Sequence, residues 1–146
     1  MKTQMRALIA IAVLLLGIGL GGCEDPEAMK ANETAEKLVG TWLREIEVSG
    51  AKAPRILVLG PDGKFSESLV ADFADGRKRK EERSGEWTFD GKNLKRRYTH
   101  EDGRIIGNYN FVTFELTSLS AREFQGKNHV QGEEIHYQRV AEGTEP

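Results

Sequence analysis

Short segments in which apolar and polar residues alternate, separated by turn residues, make up most of this chain. Alternation with a period of two is typical of β-strands that bury one face, and no window of helical length has a clear 3.6-residue apolar stripe. Glycine adopts the positive φ angles that tight hairpin turns require. Four of the separating turns contain Asp-Gly, at residues 62–63, 75–76, 90–91 and 102–103. The chain is therefore predicted to be all-β, with strands that are neighbours in sequence paired in the sheet.

The predicted strands lie within a folded unit over residues 38–140, which a C-terminal tail at 141–146 follows. Their ranges are 41–48, 55–59, 64–73, 78–89, 94–100, 104–116, 122–126 and 133–140. Because the connections are short, these strands are expected to form an antiparallel meander. Closure of the meander removes the exposed edges that an open sheet would leave. We therefore predict an up-and-down antiparallel barrel of about eight strands.

Two features of the predicted strands affect their place in the barrel wall. In the strand over residues 104–116 the apolar residues change face between Phe111 and Val112, so a bulge or bend near that point is expected to restore one inward face. Residues 77–83 contain five cations and two acids, and both alternating faces of this segment are charged. Because burial of either face would leave unpaired ions, this segment is predicted to be an exposed hairpin arm.

The first 22 residues have the parts of a secretory signal peptide. Lys2 and Arg6 precede an unbroken apolar run over residues 7–16, and a glycine-rich segment then leads to Cys23. A stable transmembrane helix needs about 20 apolar residues, so this run is too short to span a bilayer. The sequence therefore predicts export, with residues 1–22 forming the signal peptide.

Leu20, Gly21, Gly22 and Cys23 resemble the lipobox of bacterial lipoproteins. The resemblance implies that Cys23 receives diacylglycerol, that cleavage follows Gly22, and that the new amino group is open to acylation by a fatty acid such as palmitate. Two or three acyl chains hold a protein stably on a bilayer. The protein is then expected to be a membrane-anchored lipoprotein that faces the periplasm or the cell surface. Glu24, in place of an aspartate after the cysteine, favours the outer membrane and leaves the inner membrane open.

Residues 23–37 are predicted to be the lipidated cysteine and a short tether. This segment is rich in Glu, Ala and Lys, contains Pro26, and has almost no large apolar residue. Such a composition is typical of a linker, with at most a helical end near residues 31–39. It would hold the domain away from the lipid surface.

Several short motifs resemble those of the small bacterial lipocalin-like domains, and together they extend from Leu38 to Arg139. A Gly-x-Trp sequence enters the first strand, then a hairpin turn, a Gly-Glu-Trp strand and two further turns follow, and a Tyr-Gln-Arg sequence closes the domain. The segments are 38–42, 59–65, 85–87, 90–94, 119–124 and 137–139. The resemblance implies a calycin-type barrel in which Trp42 closes one end and Arg139 lies across it.

An eight-stranded barrel has an interior that side chains just fill, or that holds one small ligand. Inward-facing aromatic and aliphatic residues are candidates to line such a ligand cavity: Phe65, Leu69, Trp87, Tyr98, Tyr109, Phe111 and Tyr137. The alternative for these side chains is plain core packing.

The sequence has no constellation that indicates catalysis, a metal site or a cofactor. His100, His129 and His136 lack the His-x-His or His-x-x-x-His spacing of metal ligands, and the lone cysteine excludes a zinc site built on paired thiolates. A Gly-x-Ser-x-Gly nucleophile elbow is missing as well. The net charge of −2 argues against a nucleic-acid partner. The protein is therefore not expected to be an enzyme.

Two functions from different classes remain open. In the first, the lipid-anchored barrel binds a small apolar or amphipathic ligand. In the second, the barrel is filled by its own side chains and acts as a structural or protein-interaction module of the cell envelope, with the charged hairpin as its docking surface. A cavity of ligand size would favour the first function, and a filled barrel would favour the second.

Overall fold

The structure is a computed structural model that describes residues 25–146, apart from the side chains of Asn108 and Tyr109. Within this range, one helix, α1 (Pro26–Leu38), precedes eight strands. The strands are β1 (Gly40–Val48), β2 (Ala51–Leu59), β3 (Lys64–Asp72), β4 (Lys78–Phe89), β5 (Asn93–Glu101), β6 (Arg104–Leu119), β7 (Glu123–Asn128) and β8 (Glu133–Val140).

Each strand pairs antiparallel with the next one along the chain, and β8 pairs with β1 to close the sheet. The predicted up-and-down antiparallel barrel of eight strands is confirmed. The largest difference at a strand start concerns β2, which begins at Ala51 and includes Pro54. This part of β2 pairs with β1, whereas its pairing with β3 begins at Arg55. Proline, which lacks a backbone N–H, is tolerated there because this part of β2 pairs with only one neighbouring strand.

The segment predicted as a tether is instead helical from Pro26 onward. The Asp25 carboxylate accepts a hydrogen bond of 3.0 Å from the Glu27 N–H, and Pro26 occupies the first turn, so both N-terminal signals of a helix are present. At its other end the helix places Leu38, which is 0% exposed, in the barrel core. Packing of this last turn, rather than an apolar stripe along the helix, anchors α1 to the barrel.

The bulge in β6 lies before the position predicted for it. The register between β5 and β6 shifts between the pair Tyr98–Asn110 and the pair His100–Ile105, so the extra residues of β6 lie ahead of Phe111. After the shift Phe114 is 3% exposed and belongs to the core. The irregularity therefore gives residues 112–116 of β6 one inward face, as such a bulge does, before a second register shift against β7 between Leu116 and Ser118.

The charged segment at residues 77–83 is only partly the exposed arm that its composition predicts. Residues 78–81 pair with β3, and pairing with β5 begins at Arg83. Residues 77–80 are exposed. Further along the segment, Glu81 and Arg83 are more buried, since their side chains are 15% and 32% exposed. Both lie on the inward-facing side of β4, and each pairs with a residue of opposite charge.

Apolar side chains fill one end of the barrel. Phe124 lies at its centre, in edge-to-face contact with Trp42 at 4.7 Å between ring centroids and stacked on Tyr137 at 4.8 Å. Leu38 covers this end, and its carbonyl accepts a hydrogen bond of 2.8 Å from Nε1 of Trp42. The helix and the barrel therefore share one core.

Arg139 lies over the indole of Trp42, with its ζ-carbon 4.0 Å from the ring centroid. Its three nitrogens donate hydrogen bonds to the carbonyls of Val39, Lys37 and Ala121 at 3.0, 2.6 and 2.8 Å. The guanidinium thus ties the end of α1 and the turn before β7 to the last strand, and its planar shape allows stacking and these bonds together.

The structure explains why the first residue of the Gly-x-Trp motif, Gly40, is a glycine. Its φ angle is 144°, and a Cβ atom at this position would collide with Nη1 of Arg139. A side chain at residue 40 would therefore displace the guanidinium from Trp42. The motif combines a glycine that leaves space, a tryptophan that fills the barrel end, and room for the arginine that covers it.

Candidate functional site

The end of the barrel away from Leu38 opens as a cup of about 980 Å³. Four arginines line it, one from each of β1, β2, β4 and β5: Arg44, Arg55, Arg83 and Arg96. Each lies at an inward phase of its strand, so the alternation that fills the other end with apolar side chains brings cations together here.

Arg44 and Arg83, the two outer arginines of the cup, form ion pairs with glutamates. Nη2 of Arg44 lies 2.5 Å from a carboxylate oxygen of Glu133 on β8. Nε of Arg83 donates to Glu101 at 2.9 Å, and its Nη2 lies 3.4 Å from Glu81. The Arg44–Glu133 and Arg83–Glu101 pairs join neighbouring strands, whereas Arg83–Glu81 lies within β4, and both arginines have a counter-charge.

The two inner arginines share one carboxylate. Nη1 of Arg96 donates to Glu67 at 2.6 Å, and Nε of Arg55 lies 3.8 Å from the other oxygen of Glu67. Glu67 and Arg96 are 5% and 7% exposed. Among the described residues, Nε of Arg55 and Nε of Arg96 are buried without a hydrogen-bond partner. The cup floor consists of Arg55 and Arg96, which line the cavity, and of the buried Glu67 that pairs with them, so it has two cations for one anion.

Tyr98 adds a neutral hydrogen-bond donor to the cup floor. Its hydroxyl donates to Glu67 at 3.4 Å, a long bond, and its side chain lines the cup. Burial disfavours the phenolate and raises the pKa of Tyr98 to about 12. The phenol therefore keeps its proton at every pH near neutrality.

The charge on Arg96 is retained despite its burial. Desolvation lowers the pKa of this guanidinium, but the net direction is upward, and near neutral pH the charge of the Glu67 carboxylate and its hydrogen bond raise it. The ζ-carbon of Arg96 also lies 5.7 Å from the ring centroid of Phe65. The positive charge of the cup floor is therefore permanent.

Apolar side chains separate the charges on the cup wall. Ile46, Val112 and Ile135 line the cavity. Ile46 also packs against a second apolar cluster, formed on β2 and β3 by Ala53, Leu69 and Ala71. The cup thus combines a charged floor with apolar wall segments, as an amphipathic ligand would require.

The side chains predicted to line a ligand cavity lie in different environments in the structure. Tyr98 lines the cup. Four others are buried in apolar packing: Phe65, Leu69, Trp87 and Tyr137. Phe111 is 59% exposed, which corrects its assignment to the interior, because the bulge in β6 turns it to the outer face. The side chain of Tyr109 lies outside the described residues.

The charged residues of the cup floor were missed as a site by reasoning from the sequence. The signal for them is a charged residue at the inward phase of a strand, which occurs at Arg55, Glu67 and Arg96. Each looks like an ordinary surface charge when its strand is considered alone. Only pairing of β2, β3, β4 and β5 brings them into one ionic cluster.

The three histidines lie away from the cup floor. His129 pairs with Glu115, His136 lies 2.9 Å from Glu123, and His100 contacts the Thr99 hydroxyl at 2.9 Å. Over residues 25–146, no group of three or more His, Cys, Asp or Glu side chains is placed to hold a metal ion.

The predicted lipidation residues, Leu20 to Cys23, lie outside the described residues. In the part of the chain that the structure covers, no helix has the length and apolar character needed to cross a membrane.

Comparison with known proteins finds no family model that matches the chain, and no match among curated proteins.

Proposed function

We propose that this protein is a lipid-anchored lipoprotein of the cell envelope whose lipocalin-like barrel binds a small amphipathic molecule. The observation that carries the binding role is the open cup of about 980 Å³, whose mostly charged and polar lining is interrupted by Ile46, Val112 and Ile135. Ligand pockets in proteins have volumes of about 300–1,000 Å³, a range that includes this cup.

The charges on the cup floor favour an amphipathic ligand over a purely apolar one. An apolar molecule would cover the guanidiniums of Arg55 and Arg96, which line the cup, without offering an acceptor for their N–H groups. A molecule with one polar end avoids this cost, because its polar group accepts hydrogen bonds from these guanidiniums and its apolar part contacts Ile46 and Val112.

The alternative of a filled barrel describes only half of this interior. Side chains around Phe124 fill one end, whereas the other end is open. A binding role uses the open end, and the filled end then serves as the rigid base that holds it.

A side chain built into the cup should block binding of an amphipathic fluorescent probe, 8-anilinonaphthalene-1-sulfonate. Val112 lines the cup, so Val112→Trp is expected to weaken probe affinity by about tenfold or more because the indole occupies ligand space. Its neighbour Thr113 is exposed, and Thr113→Trp is the matched control that should leave affinity unchanged. Fluorescence titration measures both. Absence of probe binding to the unaltered protein, or equal binding by both variants, would contradict a ligand cup.

Substitution of Cys23 tests the anchor. Cys23→Ser should leave uncleaved precursor and abolish labelling by an alkyne fatty acid, because the thiol that receives diacylglycerol is gone. Glu24→Gln is the control, and it should be labelled and cleaved like the unaltered protein. Gel mobility and click detection of the fatty acid measure the outcome. Unchanged labelling of Cys23→Ser would show that the chain is not acylated at this residue.

A further inference from the structure

We infer that the ligand of the cup carries one anionic group, a carboxylate or a phosphate monoester, which binds between Arg55 and Arg96. This inference rests on the proposed function, since it concerns the same cup. It adds the charge of the ligand, its orientation and the residues that recognise it.

The first argument is the charge of the cup floor. Two guanidiniums face the single carboxylate of Glu67, which lies 2.6 Å from Arg96 and 3.8 Å from Arg55. The residues that line the cup are five cations and three acids, so with the buried Glu67 the cup has one more cation than anions: Arg44, Lys52, Arg55, Arg83 and Arg96 against Glu45, Glu47, Glu133 and Glu67. A buried charge without a partner is costly, and a ligand anion would neutralise it.

The second argument is the set of unpaired donors. Nε of Arg96 and Nε of Arg55 are both buried without a hydrogen-bond partner in the described structure, and Arg96 as a whole is 93% buried, since 7% of it is exposed. Buried donors are normally satisfied by protein, water or ligand. A guanidinium presents its N–H groups as a planar fork that matches a carboxylate or phosphate.

The third argument is that nearby acids already have partners. Glu133 on β8 pairs with Arg44 at 2.5 Å, and Glu101 on β5 pairs with Arg83 at 2.9 Å. Moving Glu133 to the cup floor would leave Arg44 without its counter-charge, and moving Glu101 would cost Arg83 the shorter of its two ion pairs. An anion from outside the chain faces no such competition.

The surrounding side chains set the orientation of this ligand. The hydroxyl of Tyr98 holds only a long bond of 3.4 Å to Glu67, so it can donate to an anion beside Arg96. Ile46, Val112 and Ile135 line the wall. The anionic group would therefore lie at the floor, and an alkyl chain would extend along the wall toward the mouth.

Four probes with the same eight-carbon chain test the charge of the ligand: octanoate, octyl phosphate, 1-octanol and octylammonium. Isothermal titration calorimetry below micelle-forming concentrations measures each Kd. At least one anion is expected to bind about tenfold or more tightly than 1-octanol, because charge-assisted hydrogen bonds are added, and octylammonium should bind most weakly. The ratio between octanoate and octyl phosphate identifies which anionic group the floor prefers.

Arg55→Met tests the location of the subsite. It removes one guanidinium and leaves the pair between Arg96 and Glu67 intact, so the fold is expected to persist. Affinity for the preferred anion should fall to that for 1-octanol, and affinity for 1-octanol should not change. Arg97→Met is the matched control, since Arg97 pairs with Glu86 on the outer face and is 38% exposed.

The outcomes separate this inference from the proposed function. Equal binding of the anions and 1-octanol to the unaltered protein overturns the anionic subsite and leaves a ligand cup. Tight anion binding that survives Arg55→Met overturns the assigned location. Failure of all four probes to bind overturns both proposals. The comparison among probes uses only the unaltered protein, so it decides the charge of the ligand even if Arg55→Met does not fold.

Discussion

Replacement of Trp42 by alanine should lower the free energy of unfolding by about 3–5 kcal/mol, as truncation of a fully buried aromatic side chain does. Trp42 is 0% exposed, and the centroid of its ring lies 4.7 Å from that of Phe124. The ζ-carbon of Arg139 lies 4.0 Å from the centroid of the indole. Nε1 of Trp42 also donates a hydrogen bond of 2.8 Å to the carbonyl of Leu38, so the variant loses this bond to the end of α1. Chemical denaturation followed by circular dichroism measures the change.

Two further variants test the interpretation of this contact. Arg139→Lys keeps the charge but cannot stack on the indole and bond three carbonyls together, so it should destabilise the protein by less than Trp42→Ala does. Glu45→Ala, at an exposed outward position of β1, is the control and should change stability by no more than about 0.5 kcal/mol. A loss of stability in Trp42→Ala no larger than in this control would contradict the central role of Trp42.

Glu67→Gln should cost about 3–5 kcal/mol, because removal of one partner from a buried ionic cluster leaves the others uncompensated. Glu67 is 5% exposed and is the only carboxylate within salt-bridge distance of Arg96 among the described residues. The glutamine is similar in shape, so the loss reports charge rather than packing. Urea denaturation measures the effect.

A compensating variant and a surface control make this second prediction specific. Glu67→Leu combined with Arg96→Met removes one charge of each sign and should recover much of the stability, since apolar residues replace a buried ion pair well. Glu86→Gln removes the exposed partner of Arg97 on the outer face and should cost no more than about 1 kcal/mol. Equal effects of Glu67→Gln and Glu86→Gln would show that the cup floor is not a buried charge cluster.

The strands and turns were predictable because their causes are local. Alternation with a period of two and glycine at the Asp-Gly turns are properties of neighbouring residues, and the short turns left antiparallel pairing as the natural topology. Helix α1 was underestimated for the opposite reason. Its start had a local signal in Asp25 and Pro26, but its attachment depends on burial of Leu38 in a core that forms only when the barrel closes.

The sequence predicted the existence of the bulge in β6 but not its position. The sequence reveals that the apolar face changes near Phe111, and a bulge was expected for that reason. Its position was decided by the partner strand, since β5 pairs Tyr98 with Asn110 and His100 with Ile105. Register is a property of two strands, and one strand alone does not specify it.

By itself, the sequence determined the all-β class, the strand order, the closed barrel and the residues at which most strands begin and end. These follow from periodicity and turn chemistry, which act over a few residues. The tertiary structure alone decided what the two ends of the barrel contain. Phe124 and its neighbours fill one end, whereas Arg55, Glu67 and Arg96 meet at the floor of the other. Those three charges come from different strands, and their meeting depends on register and closure, so no local pattern distinguishes them from surface charges.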